Sequence, residues 1–381
     1  MQPFTFHPGP ALLSGPGSAT GLPRHLPAGP CLFVSDRDVI AFGLADECRD
    51  AFEASGRSVI LFAEVEADPS KETLLAAVEA GSAGGATNVV GFGGGSPMDV
   101  AKLAAYLLGT GDDLDSIWGV GLATGQGLPL ALVPTTAGTG SEATPVAVIT
   151  CEGGEKRGVN SPSLIADWAA LDAALTVGKP RSLTAATGID AMVHAVEAFT
   201  SAKAKNPISD LYAREALKLL SANIIRACEQ PDDLDARSAM LLGAHLAGLA
   251  FANAPVAGVH ALAYPLGGLH HLPHGLSNAL MLRPVLQHNS EAARELYAQL
   301  ADIVDPSCAG QGSQARCARL IDKLDQLSVA SGLQLRLRDH GVSEDQIPLL
   351  ASEAMKQQRL LVNNPCPIDE ADARRLYEAA W

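Results

Sequence analysis

Long apolar runs are missing from this chain of 381 residues, and none approaches the roughly 20 apolar residues that a bilayer-spanning helix needs. The opening MQPFTFHPGPALLSGPGS has neither a basic leader region nor an apolar core, so no secretory signal is expected. Paired cysteines are missing as well. The seven (Cys31, Cys48, Cys151, Cys228, Cys308, Cys317 and Cys366) are odd in number, widely spaced and without a CxxC pair. That excludes a disulfide framework or a zinc ribbon and fits reduced thiols in a cytoplasmic protein. Basic residues are outnumbered, 27 Lys and Arg against 42 Asp and Glu, and the net charge of −15 opposes nucleic acid or an anionic membrane surface as a partner. A phosphate-bearing small molecule stays possible, because backbone N–H groups can hold it. Aromatics are scarce at 4%, while Ala and Gly abound, which suits closely packed helices and tight turns.

What is present falls into two textures, and the length alone argues for two domains. In the first half, apolar runs at Cys31–Ser35, Ser58–Phe62, Asn88–Phe92 and Pro129–Val133 read as buried strands. Helical patterns lie between them: one up to Ser55, one over Ser70–Ala83 with Leu74, Leu75 and Val78 on one face, and one over Pro97–Leu108. This alternation predicts βαβ units and a parallel sheet covered on both faces. The Gly/Pro-rich start is either a flexible arm or an edge element. After about residue 183, amphipathic stretches dominate: Thr184–Ser201, Ile208–Cys228, Asp235–Ala252 and Glu291–Val304. The expected division is an α/β domain over 1–182 and an all-helical domain over 183–381.

Two glycine-rich segments follow predicted strands. Gly91-Phe92-Gly93-Gly94-Gly95-Ser96 opens a helix, where free N–H groups meet an anion and glycines let a ligand approach the backbone. A turn needed only for packing would look the same. The usual G-x-G-x-x-G fingerprint is imperfect: its last position is Ser96, and Asp112, Asp113 and Asp115 follow no strand. Asp36, at the end of the first strand, could bind a ribose hydroxyl or could simply cap a helix. The second segment, Pro134–Glu142 (PTTAGTGSE), concentrates hydroxyls and glycines where open α/β sheets bind ligands. Together the two loops favour a nucleotide.

The second half carries a different chemistry. Asp190 and His194 are four apart in a helical stretch, hence one turn apart on one face. Between Val256 and Leu282 lie His260, His270, His271 and His274 on an apolar background. A carboxylate with three imidazoles suits Fe²⁺, Zn²⁺, Mn²⁺ or Ni²⁺ better than Mg²⁺ or Ca²⁺. Spacing does not choose which histidines bind.

The segments GGGSPMDVAK (Gly93–Lys102), PTTAGTGSE (Pro134–Glu142), GIDAMVHAVEAF (Gly188–Phe199) and HALAYPLGG…PHGLSNAL (His260–Leu280) resemble the iron-containing alcohol dehydrogenase family. They stand in that order and at family-like spacing, within a match from about residue 8 to the C-terminus. The resemblance implies a dehydroquinate synthase-like fold, with an N-terminal dinucleotide-binding domain, an all-helical C-terminal domain and the site in the cleft between them. It also implies the metal ligands Asp190, His194, His260 and His274, with Fe²⁺ or alternatively Zn²⁺. Implied cofactor contacts fall on Asp36, Gly94, Gly95, Ser96, Asp99, Thr135, Thr136, Thr139, Ser141 and Lys156. An acid at Asp36 matches family members that use NAD, since a 2′-phosphate there would meet like charge.

Two departures stand out. Tyr264 replaces a histidine that often serves as proton relay, which leaves Tyr264 and His271 as relay candidates. Cys366 stands where relatives commonly have arginine, and nothing physical accounts for its effect.

The expected activity is reversible hydride transfer between a small alcohol and NAD, with the substrate oxygen on the metal. A homodimer or larger homo-oligomer is expected by resemblance. The alternatives are a metal-free enzyme like maleylacetate reductase, a hydroxyacid–oxoacid transhydrogenase (a branch that also carries tyrosine at this position) and a lyase like 3-dehydroquinate synthase.

Overall fold

A computed structural model describes residues 3–381. The chain forms two compact units, one over His7–Val177 and one from Gly178 to Trp381. The compact units meet between Val177 and Gly178, and described residues 3–6 go with the second unit. There the Phe6 ring stacks on Tyr212 at 5.8 Å.

The first unit is built on nine strands: β1 (Ala11–Ser14), β2 (Cys31–Val34), β3 (Val59–Phe62), β4 (Asn88–Gly93), β5 (Gly119–Val120), β6 (Leu130–Pro134), β7 (Val146–Thr150), β8 (Lys156–Asn160) and β9 (Trp168–Leu171). Six make one sheet in the order β1-β9-β6-β4-β2-β3, with every pairing parallel. Alternate residues of β2 feed opposite cores: Cys31 and Phe33 on one face, Leu32 and Val34 on the other. A sheet buried on both sides explains why its central strands read as unbroken apolar runs. The Gly/Pro-rich start supplies an edge strand, β1, against β9.

Four helices cross this sheet: α1 (Arg37–Ala41), α2 (Asp46–Ala54), α3 (Lys71–Ala83) and α4 (Gly95–Thr110). The single helix expected before Ser55 is two, parted around Gly43, whose φ of +68° is left-handed. On α3, Leu74 is buried and Val78 packs on the core, but Leu75 is 43% exposed. Neighbours on a helix point about 100° apart, so Leu75 turns away while Leu74 and Val78, four apart, stay together. The chain from β2 runs outward to β3, while that from β4 runs the other way to β6. Adjacent strands β2 and β4 therefore flank a topological switch point, where open α/β sheets bind ligands.

The second unit is helical: α5 (Arg181–Thr200), α6 (Pro207–Glu229), α7 (Leu234–Asn253), α8 (Gly258–His270), α9 (His274–Asn289), α10 (Arg294–Val304), α11 (Ser313–Ser331), α12 (Ile347–Ala354), α13 (Gln358–Leu361) and α14 (Glu370–Ala380). α5 is the central helix, buried almost all round, and it packs against α6, α7 and α9. Its Ala185, Ala186, Gly188, Ala191, Ala195 and Ala198 let neighbours come close. Asn206 caps α6 through the N–H groups of Ile208 and Ser209, and Asp233 caps α7 through Ala236. Among the described residues no single helix is long and apolar enough to cross a membrane; only α7 and α8 taken together pass by composition, bent by 106°.

Candidate metal centre and dinucleotide cradle

α5 carries Asp190 and His194 one turn apart, α8 brings His260, and α9 brings His274 in its first turn. Asp190 Oδ1 lies 3.9 Å from His194 Nε2, 3.9 Å from His260 Nε2 and 3.7 Å from His274 Nε2. One ligand atom from each of the four falls within 4.8 Å of every other. Donors each about 2.0–2.2 Å from one ion stand at most roughly 4.4 Å apart, so a slight contraction makes this group a coordination shell. Asp190, His194 and His260 are buried, whereas the His274 side chain is 44% exposed, which marks the accessible side.

Burial works to raise the Asp190 carboxyl, but His194, His274, His260 and the Asn278 amide together hold it below its ordinary value. Asn278 Nδ2 stands 2.6 Å from Asp190 Oδ1, 3.1 Å from His260 Nε2 and 3.2 Å from His274 Nε2. An amide nitrogen has two hydrogens, and here three acceptors converge on it. Acceptors aimed at one electropositive point are what a cation requires, so the residues fit a metal of the nitrogen/oxygen-preferring kind.

Packing delivers these side chains. A Cβ on Gly275 would lie 2.3 Å from the Ala186 carbonyl oxygen and 3.3 Å from Asp190 Cβ, so only glycine lets α9 lie this close to α5. His194 is held by rings, with Phe251 at 4.4 Å and His260 at 4.8 Å between centroids. His260 is held by Glu197, which also accepts the N–H groups of Ala257 and Val259. Glu197 and Asn278 escaped the sequence reading, although each lies inside a motif. Glu197 is seven residues after Asp190, and Asn278 four after His274, both spacings that share a helix face.

His270 and His271 do not join the group. His271 ends α8 in a left-handed conformation (φ +54°) and is exposed. The Tyr264 ring, by contrast, lies 6.0 Å from that of His274, centroid to centroid.

In the α/β unit, Gly93 turns the chain out of β4 with φ +151°, and α4 starts at Gly95 with no side-chain cap. Its first N–H groups are therefore available to an anion. The second loop lies against the first: Thr135 N–H donates to Gly93 O at 2.8 Å. A Cβ on Gly94 or Gly95 would meet Thr136 Oγ1 at 3.7 Å or Thr139 Cγ2 at 3.1 Å. Ser96, Thr136 and Thr139 are half-buried beside them, and Thr135 is buried.

Asp36 does cap a helix, its Oδ1 accepting Val39 N–H at 2.8 Å. Its Oδ2 nevertheless faces the glycine loop, 3.1 Å from where a Gly93 Cβ would be. Asp99 and Ser141 serve inside the protein. Ser141 Oγ donates to Asp99 Oδ1 (2.7 Å), Val148 N–H to Asp99 Oδ2 (3.0 Å), and Lys102 Nζ to Ser141 Oγ (2.7 Å) and Val146 O (2.7 Å). Burial pushes the Asp99 carboxyl up and the Lys102 ammonium down, against their mutual attraction. This brace fixes α4 to the second loop. Lys156 stands on β8 paired with Asp68 at 2.7 Å, without a hydrogen bond to either loop.

The family model described as "Iron-containing alcohol dehydrogenase" matches residues 9–173, and "Fe-containing alcohol dehydrogenase family, C-terminal" matches residues 184–381. Long-chain-alcohol dehydrogenase 1 of Geobacillus thermodenitrificans is 38% identical over 361 residues, 94% of this chain and 91% of that protein. Among solved structures, a 1,3-propanediol oxidoreductase superposes with a TM-score of 0.96 at 31% identity over 100% of both chains. Sulfoacetaldehyde reductase from Bifidobacterium kashiwanohense, in complex with NAD+, superposes with a TM-score of 0.88 at 28% identity over 100% of this chain and 99% of that one. With both halves matched and the Asp/His/His/His group assembled, the chain belongs to the iron-containing alcohol dehydrogenase family.

Proposed function

We propose that this protein is a metal-dependent, NAD(H)-linked alcohol dehydrogenase and aldehyde reductase acting on small alcohols. The observation that carries the reading is the convergence of Asp190, His194, His260 and His274 in a chain that also carries a dinucleotide cradle. A divalent ion held there, Fe²⁺ or alternatively Zn²⁺, would supply a Lewis acid for the alcohol or carbonyl oxygen, and bound NAD would supply the hydride acceptor or donor. The chain's own residues fix where this happens. Asp190 and the three imidazoles hold the ion. The N-terminal turn of α4, with Gly94, Gly95, Ser96, Thr135, Thr136 and Thr139, holds the diphosphate. Asp99 and Ser141 act by bracing that cradle, and Lys156, paired with Asp68, is a further cofactor contact in this reading.

NADH formation on a panel of short and medium alcohols tests the reading, with metal content measured before and after chelation. About one ion per chain, with turnover lost on chelation and restored by Fe²⁺ or Zn²⁺, is the expected result. Turnover by metal-free protein would move the assignment to a reductase of the maleylacetate type. The relatives' names cover a long-chain alcohol, 1,3-propanediol and sulfoacetaldehyde, which argues for a broad panel. A cytoplasmic homodimer or larger homo-oligomer is the accompanying proposal.

Asp36 favours NAD over NADP, because a 2′-phosphate would sit against its carboxylate. Asp36→Ser removes the charge and keeps a side chain able to cap α1. The ratio of kcat/KM for NADP to that for NAD should rise about tenfold or more, as expected for relief of a like-charge contact near the surface. An unchanged ratio would show that Asp36 only caps the helix.

Tyr264 is the proton relay in this reading, supported by its ring contact with His274. Tyr264→Phe should lower kcat about 10²-fold, the low end for general acid–base groups, and reshape the pH–rate profile. The same loss in His271→Ala instead would reassign the relay. Tyrosine at this place also supports a second reading, a hydroxyacid–oxoacid transhydrogenase, which would turn over without added NAD.

A further inference from the structure

We infer that Glu197 is a positioning residue for the metal centre: by accepting the Nδ1–H of His260 it keeps His260 Nε2 bare and aimed at the ion. The inference rests on the metal reading above and extends it beyond the four ligands. Glu197 is 4% exposed, and its carboxylate faces three donors. Oε1 accepts Val259 N–H at 2.6 Å, and Oε2 accepts Ala257 N–H at 2.9 Å and faces His260 Nδ1 at 2.7 Å. With both oxygens already accepting backbone N–H groups, the carboxylate is an acceptor toward the imidazole, so Nδ1 carries the hydrogen. The lone pair is then on Nε2, the nitrogen that faces Asp190 and Asn278. A carboxylate behind a ligating imidazole fixes its tautomer and ring orientation and raises its basicity.

The same carboxylate starts α8. That helix has no side-chain cap of its own, and two of the N–H groups at its start go to Glu197. One side chain of α5 thus sets both where α8 begins and how the histidine on its first turn is turned. A purely structural cap and a positioning residue predict different outcomes. Glutamine keeps the shape but offers one acceptor oxygen to three donors. Its amide group must face either Val259 N–H alone or Ala257 N–H together with His260 Nδ1, and the latter selects the tautomer with hydrogen on Nε2.

The test is the dissociation constant of chelator-stripped protein for Co²⁺ and Zn²⁺, read by competition with a chelator, together with the melting temperature of the metal-free forms. Glu197→Gln should weaken binding about 10- to 100-fold, and Glu197→Asp, which keeps the carboxylate on a shorter arm, should fall between it and wild type. Unchanged affinity in a folded Glu197→Gln, with only a lower metal-free melting temperature, would leave Glu197 a helix cap and overturn the inference. Should Glu197→Gln not fold, Glu197→Asp decides: weakened binding supports the inference, and wild-type affinity overturns it. Wild-type protein that binds neither ion would instead overturn the metal reading itself, so the two failures are distinguishable.

Discussion

His260→Ala is expected to strip the centre: metal content should fall from about one ion per chain to near zero after dialysis, and NADH formation should fall about 10³-fold. The size follows from the several kcal/mol of polarisation that a bound cation supplies, at about 1.4 kcal/mol per factor of ten. Removing this imidazole takes away one of four donors within 4.8 Å of each other. It also leaves Glu197, buried and held by two backbone N–H groups, without its 2.7 Å partner. Losing a hydrogen bond to a charged group costs about 1.5–3 kcal/mol, so the melting temperature should fall as well. Elemental analysis, turnover and thermal melting on the same sample check all three, and a variant that retains metal and full turnover would sink the ligand assignment.

Gly275→Ala should also cost turnover, about tenfold less than His260→Ala does, without replacing a single ligand. The new Cβ would stand 2.3 Å from the Ala186 carbonyl oxygen, a backbone atom that cannot swing aside. α9 must therefore lift from α5, and with it His274 and Asn278 move away from Asp190. A misplacement on the order of 1 Å costs about 10²-fold in rate, and overpacking costs about 1–3 kcal/mol of stability. The control lies in α8: a Cβ on Gly268 meets open space. Gly268→Ala should leave metal affinity alone and stabilise the protein slightly, since Ala is preferred to Gly in a helix. Equal behaviour of the two variants would show that the α5–α9 approach does not set the centre.

Strands β2, β4 and β6 were legible because a sheet covered on both faces demands unbroken apolar runs, and the edge strand β3 still carries the apolar run VILF. Where burial is one-sided or brief the signal fades. β8 reads KRGVN and begins with two exposed charges, and β5 is two residues long. Helices α8 and α9 were obscured by punctuation that normally ends helices, Pro265 inside one and Pro284 inside the other. Both helices are nevertheless heavily buried, and their packing overrides local propensity.

Asp36 shows the limit at the cradle. A strand-ending acid reads equally as a helix cap or a ribose ligand, and in the structure one oxygen caps while the other faces the glycine loop. Asp99 and Ser141 read as cofactor contacts in their motifs, and in the structure their polar atoms also brace α4 through buried Lys102.

By itself the sequence determined what local geometry can carry. It specified a strand–glycine–helix turn that can take an anion, an Asp/His pair on one helix face, and motifs in family order. Tertiary structure alone decided which histidines converge, that Glu197 stands behind His260, and that Asn278 reaches into the same cluster. The physical reason is range. Helix periodicity relates residues four and seven apart, but His260 lies 63 positions from Glu197 and Asn278 lies 88 from Asp190. Such pairs meet only when buried helices close on one another, here down to a carbonyl that leaves room for glycine and for no larger residue.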